Sequence, residues 1–130
     1  MKVAAIQMVS SLQVGTNLQS ADALIQEAAS QGAELVALPE YFCLLGQRDT
    51  DKLAVQEQEG TGPIQQFLAD AAKRHGVWLV GGTLPLSSGQ ATKVCNTCLV
   101  LNPQGKQVAR YDKIHLFAFD NGTEHYDESR

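Results

Sequence analysis

Three features of the 130-residue sequence predict an α/β fold. Short apolar runs have the length of strands, amphipathic stretches with helical spacing lie between them, and glycine or proline marks the joints. Residues 3–9 form the first apolar run. The stretch "GTNLQSADALIQEAASQG" then repeats apolar side chains three and four apart at Leu18, Ala21, Ile25 and Ala28. That spacing predicts an amphipathic helix, capped by Thr16 or Asn17 and ended by Gly32. Residues 35–38 are continuously apolar, as in a strand covered on both faces.

Residues 47–61 read as a polar connection. Pro63 suits the first turn of a second helix, with Ile64, Phe67, Leu68, Ala71 and Ala72 on one face. Lys73, Arg74 and His75 fall in its last turn, where cations complement the helix dipole, and Gly76 can cap it. Residues 77–80 are another covered strand. Residues 94–101 and 107–111 flank "NPQG", a turn sequence, and predict an antiparallel hairpin. The order is βαβαβ plus a hairpin. Residues 112–130 read as polar and irregular, with no element to cover the last sheet edge. An open edge is a liability, so this tail is expected to fold over the sheet, or the sequence to be a fragment of a larger domain.

With 44% hydrophobic and 18% charged residues, the chain is expected to be globular and of one domain. A net charge of −4 with no block of Lys or Arg argues against nucleic acid or an anionic membrane as partner. No segment approaches the roughly 20 apolar residues of a membrane span. Three cysteines, an odd number, suggest reduced thiols in a soluble, cytoplasmic chain. Cys95 and Cys98 have C-x-x-C spacing, but on a strand residues three apart point to opposite faces. His75, His115 and His125 lack the spacing of metal ligands, so neither metal nor cofactor is implied.

Glu40 in "ELVALPEYF" lies just past a strand end, where open α/β sheets bind ligands. Burial beside Leu38, Tyr41 and Phe42 would disfavour its ionised form and suit it to base catalysis, although a solvated turn glutamate has the same local pattern. Lys113 in "RYDKIHLF" follows another strand and has the chemistry of an oxyanion stabiliser; a surface lysine is its bland reading. A carboxylate and an ammonium after separate strands of one sheet can converge. Gly81-Gly82-Thr83 lacks both phosphate-loop signatures. Cys43 carries no local sign of activation and reads as a buried thiol.

In order, "VAAIQM", "GAELVALPEYF", "GPIQQFLADAAKRHGVWLVGG", "CNTCLVLNPQGKQVARYDKIHLF" and "YDESR" resemble the N-terminal half of the nitrilase (carbon–nitrogen hydrolase) superfamily. The resemblance implies an α-β-β-α sandwich, incomplete in residues 1–130, that commonly forms homo-oligomers. By motif it implies that Glu40 is the general base, Lys113 the oxyanion lysine and Glu128 a second glutamate orienting lysine and substrate. The family's nucleophilic cysteine lies in a C-terminal half, and Cys43, Cys95 and Cys98 do not match it. "YDKIHLF" with "YDES" is similar to the ω-amidase and deaminated-glutathione amidase branch, implying a small aliphatic amide rather than a nitrile as substrate. Two rivals stand beside this reading: a non-catalytic half-domain completed by a partner, and an unrelated α/β small-molecule-binding module.

Overall fold

Apolar continuity sets the strands and helical periodicity the helices. The computed structural model describes residues 1–48, 50–115, 118–120, 122 and 125–127. Its elements are β1 (Val3–Ala5), α1 (Val14–Ser30), β2 (Leu35–Ala37), α2 (Asp51–Val55), α3 (Pro63–His75), β3 (Trp78–Val80), β4 (Leu84–Ser87), β5 (Val94–Leu101), β6 (Gln107–Asp112), β7 (Ala118–Asp120) and β8 (His125–Asp127). This is the α/β class predicted, with a mixed sheet.

Strands β1, β2 and β3 are parallel and in register, Val3 beside Leu35 and Leu35 beside Trp78. The long strand β5 pairs antiparallel with β3 through Val100 and Leu101, and with β4 through Val94 to Thr97. It also pairs with β6 from Thr97 to Leu101, overlapping both stretches, so β3 and β4 share one of its edges and β6 takes the other. Asn102-Pro103-Gln104-Gly105 closes the β5–β6 hairpin, with the Gly105 N–H donating to the Asn102 carbonyl at 2.8 Å.

The core lies between the sheet and helices α1 and α3. Ala21, Ile25 and Ala28 of α1 and Ile64, Leu68, Ala71 and Ala72 of α3 are buried with Val36, Leu79 and Leu99 of the sheet. Helix α1 ends as predicted at Gly32, whose φ of 91° allows Ala33 to donate back to the Ala28 carbonyl. Arg74 and His75 at the end of α3 both reach Asp22 of α1 at 2.8 Å.

Four expectations are corrected. The α1 N-cap is Gln13, without a side-chain cap, and Asn17 is instead buried, donating to the carbonyls of Ser11 and Cys43. Strands β2 and β3, expected to be covered on both faces, have helices on one only; on the other, Trp78 of β3 is exposed, like Val3 of β1 and Tyr111 of β6. The connection over 47–61 contains α2, a helix too short to display periodicity, and strand β4 was hidden by Pro85. The tail contains the antiparallel pair β7–β8, in a separate two-stranded sheet.

Candidate active site

The parallel pairing of β2 ends with the Leu38 N–H donating to the Val80 carbonyl at 2.9 Å, and the chain then turns at residues 40–43. Each residue after Glu40 is fixed separately. Tyr41 adopts a φ of 48°, a conformation unfavourable for a bulky side chain. Its N–H donates to Thr83 Oγ1 at 2.8 Å. Phe42 is fully buried and its carbonyl accepts from Ser10 Oγ at 2.8 Å, while the Cys43 carbonyl accepts from Asn17 Nδ2. Gly82, with a φ of 57°, runs so close to the Pro39 carbonyl that a Cβ there would collide with it. The Gly81-Gly82-Thr83 stretch therefore serves as a brace for the Glu40 turn.

Lys113 arrives from the far side of β5. Its N–H donates to the Asn96 carbonyl at 2.9 Å, extending the β5–β6 pairing one step beyond Asp112. The two predicted residues converge: Lys113 Nζ lies 3.1 Å from Glu40 Oε1. Asn96 Nδ2 donates to the same oxygen at 2.9 Å. These groups line an open cleft of about 390 Å³ with Leu38, Val80 and Cys98. Geometry of this kind places a proton-accepting carboxylate and an ammonium around one small reacting group.

The burial expected around Glu40 is not found among the described residues. Its side chain is 54% exposed, and that of Lys113 is 30% exposed. Phe42 turns into the core instead of onto the carboxylate, because the left-handed Tyr41 reverses the chain between them. Glu128 lies outside the described residues.

The thiols differ in setting. Burial pushes the Cys43 thiol up to about 12, with a smaller contribution from the negative charge of Glu57. Cys98 lines the cleft, but burial also raises it, only partly offset by a hydrogen bond with the Gly81 main chain. Both are held as thiols rather than as nucleophilic thiolates. Asn96 was overlooked in the sequence. A readable signal existed, since it is a polar amide inside the apolar strand "VCNTCLVL", where burial demands a partner.

Comparison with known proteins gives the family. The carbon–nitrogen hydrolase family model matches residues 2–130. The chain belongs to the carbon–nitrogen hydrolase family. Within that family it is 43% identical over 115 residues to a deaminated glutathione amidase of Synechocystis sp., covering 88% of this chain and 42% of the relative. Human omega-amidase NIT2 is 36% identical over 119 residues, with coverages of 92% and 42%. Among solved structures, the NitFhit protein of C. elegans superposes with a TM-score of 0.80 at 27% identity, over 98% of this chain and 31% of its own. Nit3 of Saccharomyces cerevisiae gives a TM-score of 0.77 at 30% identity, with coverages of 89% and 45%. The chain thus spans about two fifths of the length of these amidase relatives and matches the nitrilase-superfamily fold. Among the described residues, no helix is long and apolar enough to cross a membrane.

Proposed function

We propose that this carbon–nitrogen hydrolase segment is the N-terminal half of a small-amide hydrolase, supplying its base and its oxyanion stabiliser. The observation that carries the reading is the 3.1 Å approach of Lys113 to Glu40 from opposite sides of β5. The shorter span relative to the amidases it resembles supports a nucleophilic cysteine outside residues 1–130, as do the raised thiols of Cys43 and Cys98.

In this mechanism Glu40 takes the proton of that cysteine and the thiolate adds to the amide carbon. The carbonyl π electrons move onto oxygen, where the Lys113 ammonium offsets the new negative charge. Collapse of the tetrahedral intermediate breaks the carbon–nitrogen bond, and ammonia leaves with the proton returned by Glu40. Water, deprotonated by Glu40, then adds to the thioester; its cleavage releases a carboxylic acid and regenerates the thiol. Glu128, by its motif, orients lysine and substrate. Likeness to proteins named deaminated glutathione amidase and omega-amidase supports an aliphatic amide rather than a nitrile as substrate. The three free thiols fit a reducing, cytoplasmic setting, and the family resemblance supports a homo-oligomer.

The test uses the full-length protein with a panel of ω-amides and the corresponding nitriles, measuring ammonia. Amides should be hydrolysed in preference. Lys113→Met should lower kcat/KM by about 100- to 1,000-fold, the typical cost of one oxyanion donor. A folded protein that releases no ammonia from any amide, or a Lys113→Met variant within a few-fold of wild type, would overturn the reading.

A further inference from the structure

Asn96 is almost completely buried, at 1% exposure, in the middle of β5. A buried amide is costly unless it is hydrogen-bonded, so its contacts reveal what the site gains from it. Both ends of this residue are engaged with the cleft. Its side-chain N–H donates to Glu40 Oε1 at 2.9 Å, and its main-chain carbonyl accepts from the Lys113 N–H at 2.9 Å. One residue therefore ties together two groups that come from different strands, 73 positions apart in the chain.

We propose that Asn96 is a positioning residue that commits Oε1 of Glu40 to hydrogen bonding and leaves Oε2 as the oxygen that receives the proton. The proposal rests on the reading of Glu40 as the general base. Two donors, the Asn96 amide and the Lys113 ammonium, converge on Oε1, so a proton arriving there would have to displace one of them. Protonation at Oε2 displaces neither. Other titratable groups lining the cleft, among the described residues, are Cys98 of β5 and Tyr111 of β6. Neither hydrogen-bonds to Oε1, so the Asn96 contact can be changed without removing a bond that either of them makes to the carboxylate.

The experiment compares wild type with Asn96→Leu and Asn96→Asp in the full-length protein. Two quantities are read: the pH profile of kcat/KM, and the titration of the Glu40 carboxyl by carbon NMR, assigned by its loss in Glu40→Gln. Asn96→Leu removes the donor and should lower kcat by about 10- to 100-fold with little change in KM, as misplacement of a catalytic group does. Its acid limb and its carboxyl titration should both move to higher pH. Asn96→Asp, nearly isosteric, places a like charge beside Oε1 and should move both by at least about one pH unit. It also keeps the test decisive if the leucine variant fails to fold. A merely structural asparagine would cost stability and leave both titrations in place, and that result overturns the proposal. If the carboxyl titration moves while the kinetic profile does not, Asn96 positions Glu40 as inferred, and it is the assignment of Glu40 as the base that fails.

Discussion

Two glutamates, Glu40 and Glu57, show how differently one fold can use a carboxylate. Glu57 is buried, at 6% exposure, and both of its oxygens are occupied by the start of α3. Oε2 accepts from the Ile64 N–H at 2.7 Å, while Oε1 accepts from the Gln65 N–H and from Gln65 Nε2, each at 3.1 Å. Its own main chain bridges to Pro85 and Ser87 of β4. Glu40 is more than half exposed, and only its Oε1 has described partners, both of them side chains. Backbone donors at a helix start cannot be withdrawn without unravelling the turn, so Glu57 is committed to structure. If Glu40 is the base, as proposed, burial alone does not mark the working carboxylate, and an oxygen facing an open cleft is the better sign.

The parallel extends to two glycines, where the largest stability effects are expected. A Cβ on Gly62 would run into the Glu57 carboxylate, and one on Gly82 into the Pro39 carbonyl, next to Glu40. Both glycines have φ values that L side chains rarely adopt, 135° and 57°. Gly62→Ala and Gly82→Ala should each cost about 2–4 kcal/mol by chemical denaturation, from backbone strain together with overpacking. They should part in activity. Gly82→Ala displaces the Glu40 turn and should lower kcat of the folded fraction, whereas Gly62→Ala should leave it near wild type. Equal losses of kcat would break the contrast.

A smaller effect links the two regions through Cys43. Its thiol is pushed up from 9.0 to about 12, with burial the main cause and the Glu57 charge a lesser one. A pKa higher in the folded state means folding favours the protonated thiol. That contribution is complete below pH 9.0 and lost as pH rises toward about 12. Unfolding experiments across this alkaline window should show stability falling, less steeply in Cys43→Ala. A Cys43→Ala variant with the same alkaline slope as wild type would remove the thiol from the account.

The sequence made helices α1 and α3 and the Glu40–Lys113 pair legible for the same reason: each depends on local pattern. Leu18 to Ala28 repeats at helical spacing, Pro63 and Gly76 punctuate α3, and both site residues sit within three residues of a strand end in recognisable motifs. Strand β4 was hidden because Pro85 is normally a strand breaker; it is tolerated because β4 ends the strand order and the Pro85 main chain faces away from β5, its carbonyl accepting from the Glu57 N–H. Glu57 was hidden because its partners, Ile64 and Gln65, lie on the next helix, and nothing in "VQEQEG" announces the contact. The expected burial of Glu40 failed on one backbone angle, the positive φ of Tyr41, which sends Phe42 into the core and leaves the carboxylate in the cleft.

The central claim is that Glu40 serves chemistry and Glu57 serves the fold. It is tested most directly by making the same change at both positions in the full-length protein and measuring ammonia release alongside thermal unfolding. Glu40→Gln should abolish most turnover while the melting temperature stays near wild type. Glu57→Gln turns an amide NH2 toward the donors of α3 and should lower stability by about 1–3 kcal/mol, while the folded fraction keeps its kcat. The account is contradicted if Glu40→Gln melts early and still turns over, or if Glu57→Gln loses turnover with its melting temperature intact.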